Sequence, residues 1–191
     1  MIILKSFIRS LFVVAAASAF SAANAAVITG ATGSAAFGSH AFAPLAETGI
    51  GVINGQGTAF THQWLFSISG VADGSGAAIA NQLFFGNVQT IGINSGFVKL
   101  YSDLGLLGAG GGDVLVGTAF SFNSSVQGSQ DYPALAAGNY FYEVTGVTSG
   151  TAGGNYLLNS TFAEQATVPA PAGLALLVAG GFGLWAARRK A

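Results

Sequence analysis

Residues 58–69 read Thr-Ala-Phe-Thr-His-Gln-Trp-Leu-Phe-Ser-Ile-Ser. Phe60, His62, Trp64, Phe66 and Ile68 fall on one side of an extended chain, and Thr61, Gln63, Leu65, Ser67 and Ser69 on the other. A repeat of two is that of a β-strand with one face turned to a core, since successive side chains point to opposite faces. The same period recurs. Phe97–Tyr101 sets Val98 and Leu100 against Phe97, Lys99 and Tyr101; Val114–Phe122 aligns Val114, Val116, Phe120 and Phe122. Tyr140–Val147 aligns Tyr140, Tyr142 and Val144, and Tyr156–Phe162 aligns Tyr156, Leu158 and Phe162. Ala26–Thr29, Gly49–Ile53 and Leu83–Ile93 are weaker candidates. Between these runs, Ala72–Ser75, Asn94–Gly96, Gly108–Gly112, Gly128–Gly138 and Ser149–Asn155 read as turns, rich in Gly, Asn, Asp and Ser. Short alternating runs separated by glycine-rich breaks point to an all-β sandwich or barrel of antiparallel strands, and a jelly-roll-like β-sandwich over residues 26–167 is the expectation.

The charges set that domain apart. The chain has 191 residues, six basic and seven acidic, and no cysteine. Lys5 and Arg9 lie near the start, and Arg188, Arg189 and Lys190 at the end. Lys99 alone faces all seven acids in the middle (Glu47, Asp73, Asp103, Asp113, Asp131, Glu143 and Glu164), which leaves it at −6. One lysine cannot supply the phosphate contacts of a nucleic-acid binder, so no nucleic acid is expected as a partner. A disulfide scaffold is excluded by the cysteine count.

Residues 1–25 read as a secretory signal helix. Lys5 and Arg9 form a basic start, Leu11–Phe20 supplies an apolar run, and Ala23-Asn24-Ala25 is an A-x-A site for signal peptidase. Ala26 becomes the new N-terminus. Residues 168–191 are a second address. Val168-Pro169-Ala170-Pro171 is a stiff break, because each proline fixes its own φ and restricts the residue before it. Residues 172–187 carry no charge and are expected to form a transmembrane helix of about 24 Å, closed by Arg188-Arg189-Lys190. That is short of a ~30 Å hydrocarbon core, but the basic side chains can snorkel. Trp185 stands where an interfacial aromatic belongs, and the basic end stays cytoplasmic by the positive-inside rule. The ectodomain is then expected outside the inner membrane.

This order of short proline motif, Leu/Gly/Ala-rich helix and terminal basic cluster resembles the PEP-CTERM sorting tail of Gram-negative bacteria. Val168–Pro171 fits its VPxP form. Ala170 stands where Glu is usual, as in the related VPLPA-type tails, whose members place an apolar residue there. The resemblance covers about 24 of the 191 residues. It implies recognition by an exosortase-like membrane protease and transient anchoring in the inner membrane. Cleavage near the motif and delivery to the cell surface or exterior would follow, commonly alongside exopolysaccharide and biofilm. The run Leu135–Tyr140 followed by a glycine-rich hairpin resembles the ectodomain of FxDxF-type PEP-CTERM proteins. Phe60-Thr61-His62-Gln63-Trp64 stands where their F-x-D-x-F would be, with His62 and Trp64 replacing its Asp and second Phe.

Within the ectodomain no residue set demands catalysis. The two histidines, His40 and His62, have no partner in sequence, and no G-x-S-x-G elbow is present. His62 reads as a half-buried packing residue or a hydrogen-bonded histidine on the aromatic face, and His40 as a loop residue. A secreted hydrolase would need two carboxylates roughly 5–10 Å apart in a cleft; no two acids are close in sequence, so only the fold could bring such a pair together. No cofactor is expected. Asp73, Asp103, Asp113 and Asp131, in or beside loops, leave calcium open as a ligand. Trp64, Tyr101, Tyr140, Tyr142 and Tyr156 are core candidates or, if exposed, platforms for sugar rings. Tyr142 and Tyr156 could pair across the closing hairpin. The sequence therefore supports a non-enzymatic exported surface or matrix protein, with a carbohydrate-binding module as the alternative.

Overall fold

A computed structural model describes residues 25–40, 45–105 and 112–165. Twelve strands form among them: β1 Ala25–Thr29, β2 Thr32–His40, β3 Leu45–Asn54, β4 Ala59–Ile68, β5 Ala72–Ala80, β6 Leu83–Phe85, β7 Val88–Ile91, β8 Ile93–Asp103, β9 Val114–Phe122, β10 Gly128–Leu135, β11 Gly138–Thr148 and β12 Gly153–Glu164. Two five-stranded sheets pack face to face, one ordered β1-β3-β12-β5-β10 and the other β2-β4-β11-β8-β9. β6 and β7 form a separate two-stranded sheet. The all-β sandwich expected from the alternation is present. The signal helix (1–25, apart from Ala25) and the tail helix (172–187) lie outside the described residues.

Four expectations are corrected. The sheets are not wholly antiparallel: β1 runs parallel to β3, and β2 parallel to β4. The cause is topological. β1–β2 and β3–β4 each cross from one sheet to the other through a short corner, and two such arches laid side by side place like-directed strands together. Second, the glycine-rich turn after β11 does not close a hairpin. β11 pairs with β4 and β8, whereas β12 pairs with β3 and β5, so the turn carries the chain between sheets. Tyr142 and Tyr156 therefore sit in opposite sheets.

Third, several segments read as breaks or loop are strand. Ala72–Ser75 opens β5, Asn94–Gly96 lies inside β8, Gly128–Leu135 is β10, and His40 ends β2. The reason is steric. A Cβ on Gly74 would stand 2.7 Å from the Phe162 ring, and one on Gly96 would overlap the Phe122 ring. Glycine here clears space for an aromatic neighbour, a recognised use of strand glycine. Fourth, Leu83–Ile93 is not one strand. It breaks into the β6–β7 hairpin around Gly86-Asn87, where Gly86 has φ 61°, and then enters β8. Positive φ at the first central residue is the signature of a type II′ turn.

The core lies between the sheets. The face of β4 predicted to be inward is buried throughout: Phe60, His62, Trp64, Phe66 and Ile68. Phe37 stacks on Trp64 at 5.1 Å between ring centres, and Phe66 meets Phe162 at 4.7 Å.

The registers also fix two poles. β12 descends from Gly153, which pairs with Asn54, to Glu164, which pairs with Ala72. At the upper pole lie residues 55–58, the β6–β7 hairpin and the turns at 123–127 and 149–152. The lower pole holds the β4–β5 and β10–β11 connections and the lower ends of β8 and β9. Glu47, Asp73, Asp103, Asp113, Asp131 and Glu164 all map to the lower half of their strands or to its connections. Lys99 and Glu143 pair with each other at mid-height, 3.5 Å apart. Residues 74–98, which include the hairpin, carry no Asp, Glu, Lys or Arg.

Candidate functional site

His62 is fully buried, its ring held at both nitrogens. Nε2 lies 2.9 Å from the Gly30 carbonyl oxygen, and Nδ1 2.8 Å from the Tyr156 hydroxyl. A carbonyl only accepts, so Nε2 carries the proton and Nδ1 is the acceptor. The Tyr156 hydroxyl must then donate to Nδ1. Its oxygen accepts from Trp64 Nε1–H at 3.0 Å. The chain Trp64 → Tyr156 → His62 → Gly30 thus runs in one direction with every participating donor and acceptor satisfied. It ties β4 to β12 across the core and fastens both to the β1–β2 corner. Burial lowers the His62 pKa from its usual value, partly offset by the bond to Gly30. Burial raises that of Tyr156, with the Trp64 bond opposing. Sealed from solvent and committed at both nitrogens, His62 has no geometry for abstracting a proton from an external substrate. It is a packing residue, buried more deeply than its sequence context indicates.

The aromatic candidates divide. Trp64, Tyr142 and Tyr156 are completely buried and Tyr140 nearly so, so none of these four offers a sugar platform. Only Tyr101 is partly exposed, stacked on Phe141 at 5.2 Å on the outer face of β8 and β11. A second buried polar group lies lower in the core. Ser160 Oγ donates to the Tyr142 hydroxyl at 3.1 Å. Burial drives the Tyr142 and Tyr132 pKa values far above the usual phenol range, and the nearby Glu47 carboxylate and Tyr132 add to the shift at Tyr142.

The structure brings together two acids that sequence reasoning left apart. On the outer face of β10, β5 and β12, Asp131 stands opposite Ser75, and Ser75 opposite Thr161. Asp73 lies two residues along β5 on the same face, so the carboxyl-bearing residues are diagonal neighbours, roughly 7–8 Å apart by sheet geometry. With Gly74, Pro133 and Phe162 they line an open groove of about 530 Å³. Ser75 and Thr161 hydroxyls bond each other at 2.6 Å. A bulge in β10 between Tyr132 and Leu135 forms the groove wall. There Ala134 adopts φ 54°, and its N–H donates to Asp73 Oδ1 at 2.8 Å. The groove can present carboxylate and hydroxyl oxygens to a polar ligand. Only the cross-strand pairing, absent from local sequence, could have revealed it.

Asp103 and Asp113 act on the β8–β9 connection instead. Asp103 Oδ1 accepts from Gly105 N–H at 2.8 Å and Asp113 Oδ1 from Leu104 N–H at 3.2 Å. Among the described residues, no three His, Asp or Glu side chains group closely enough to hold a metal ion. Of the processing residues, Ala25 and Ala26 open β1 opposite Thr48 and Gly49 of β3. Ala23, the motif Val168, Pro169, Ala170 and Pro171, and the basic end Arg188, Arg189 and Lys190 lie outside the described residues. Among the described residues no helix is long and apolar enough to cross a membrane. No family model matches the chain, and no curated protein matches it in sequence.

Proposed function

We propose that this chain is an exported, non-enzymatic cell-surface or extracellular-matrix protein, sorted by an exosortase-type system and associated with exopolysaccharide or biofilm. The observation that carries the reading is the pairing of an A-x-A signal at Ala23–Ala25 with the ordered tail Val168–Pro171, apolar 172–187 and Arg188–Lys190. The sandwich is compatible with it. The described residues end at Gln165, at the acidic pole. Cleavage at Ala26 would leave β1 its remaining residues for pairing with β3. The strand order supports a finer reading of the fold. Without β1, β2 and the small hairpin, β3-β12-β5-β10 faces β4-β11-β8-β9, the interleaved arrangement of a jelly roll.

Intact-mass measurement of the protein recovered from the cell surface or medium tests the proposal. The expected product begins at Ala26 and lacks the apolar tail. Recovery of the uncleaved chain in the inner membrane alone would refute sorting.

The Asp73–Asp131 groove favours a second reading, a carbohydrate-binding module in which carboxylates and hydroxyls accept sugar O–H donors. Under that reading Asp131→Asn lowers retention of the protein on its own exopolysaccharide, while equal retention of both forms removes the groove from consideration.

A further inference from the structure

The upper pole carries an apolar projection that the sandwich does not use. Residues 81–88 are all exposed, and Phe84 and Phe85 keep 53% and 86% of their surface in solvent. Leu83 and Val88 are also more than half exposed. Four large exposed apolar side chains gather at one hairpin, Phe84 on one face of the ribbon and Leu83 and Phe85 on the other, an exposure of the kind that marks an interaction site. The hairpin edges differ. β7 is covered on its outer side, where Thr151 and Ala152 N–H groups donate to the Gln89 and Thr90 carbonyls at 3.0 and 2.9 Å. Among the described residues β6 pairs only with β7, so its outer edge is open. Natural sheets usually blunt such an edge with lysine, proline or an inward charge. Leu83-Phe84-Phe85 has none of these.

We propose that the occupant of this edge is a second copy of this chain, joined β6 to β6 in antiparallel register about a two-fold axis. Charge layout leaves this pole as the place where two copies can meet. An acidic domain repels its own copies, and six of its seven acids lie in the lower half while the seventh is paired with Lys99. Tip-to-tip approach is the orientation that keeps the acidic halves farthest apart, beyond the ~10 Å over which salt leaves charges interacting. A two-fold contact is self-complementary by construction, and adding strands to an open edge gives main-chain bonds with apolar side chains flanking them. β6 has three residues, so the central Phe84 faces its counterpart across the axis. The patch is small, and the contact is correspondingly weak between free molecules. Chains crowded on one surface would engage it more fully through their raised effective concentration. The inference rests on the fold and its charge layout, not on the identity of the sorting enzyme.

The chain contains no cysteine, so a single introduced one reports a single contact. Opposed residues in an antiparallel pair stand about 4.5–5.5 Å apart, within disulfide reach. In the full chain under mild oxidation, Phe84→Cys is expected to give roughly tenfold more covalent dimer than exposed Ala163→Cys at the lower pole, an enrichment set by local concentration. Adding Phe85→Lys to Phe84→Cys should abolish the excess without unfolding the domain, since Phe85 packs on little. Equal cross-linking at both poles, or an excess that survives Phe85→Lys, would overturn the proposal. A lipid surface is the competing occupant. A polarity-sensitive dye attached to the thiol of the Phe84→Cys variant, in phosphatidylcholine proteoliposomes, should shift to shorter wavelength as protein density rises. A blue-shifted signal that persists at high lipid dilution would assign the tip to the bilayer and refute self-pairing.

Discussion

At the scale of single residues, Tyr156 and Tyr132 make a controlled contrast. Both are tyrosines buried to within 1% of full exclusion. The Tyr156 hydroxyl joins Trp64 to His62, while no described residue bonds the Tyr132 hydroxyl. Tyr156→Phe leaves two buried polar groups without partners and is expected to cost about 2–4 kcal/mol by urea unfolding. Tyr132→Phe removes only a buried hydroxyl that gains no protein bond and should fall within about 1 kcal/mol of the parent. Similar losses for both would show that the directional chain through Tyr156 adds nothing. His62 adds a pH signature. Its folded-state pKa is held below the ordinary value of about 6.5, so the unfolded chain takes up the proton first as pH falls. The stabilising contribution is complete above about pH 6.5 and is lost as pH drops through the folded-state pKa. Unfolding midpoints should therefore fall between pH 7.5 and pH 5, with a shallower slope in His62→Asn. An unchanged slope would place the titration elsewhere. The sequence makes His62 legible as an inward-facing residue of β4. It cannot reveal the bond partners, because Gly30 reaches it from the β1–β2 corner and Tyr156 from β12.

At the scale of elements, β4, β8, β11 and β12 are legible because large apolar residues alternate along them, whereas β9 is legible in its bounds only, since a bulge at Gly117 breaks its inward face and leaves Val114 exposed. β5 and β10 are not, because their chemistry looks like turn chemistry. β5 reads Ala-Asp-Gly-Ser-Gly-Ala-Ala-Ile-Ala, and its two glycines sit against Phe162 and Tyr142. The ring that fills the space is supplied by another strand, so the strand itself carries no hydrophobic signal. Gly51→Ala tests this complementarity: it drives a methyl into the Tyr156 ring and should cost about 1–3 kcal/mol, more if the ring cannot move. An unaffected midpoint would mean that the glycine makes no room. The β10 bulge gives the opposite sign. Ala134 holds a left-handed conformation that costs an L-residue about 1–2 kcal/mol, so Ala134→Gly is expected to be neutral or stabilising despite its extra unfolded-state freedom. The Asp73–Asp131 groove is invisible in sequence for the same reason as β5, since it exists only once β10, β5 and β12 are in register.

At the scale of the whole molecule, the near-neutral total charge conceals an ordered distribution. Five of the six basic residues gather at the two ends of the sequence, and all seven acids lie between them. The fold then sorts those acids toward one pole, the pole at which the described residues end, and leaves the opposite pole uncharged with an apolar hairpin. Composition reveals the first separation, because it depends only on position along the chain. The second depends on strand direction, which composition does not encode. The central claim is that residues 168–191 determine where this acidic sandwich is delivered. Its most direct test is fractionation of cells producing the parent and a chain lacking residues 168–191. The parent is expected to reach the cell surface or medium as a processed form, while the truncated chain, still exported, accumulates in the periplasm. The same distribution for both chains would contradict it.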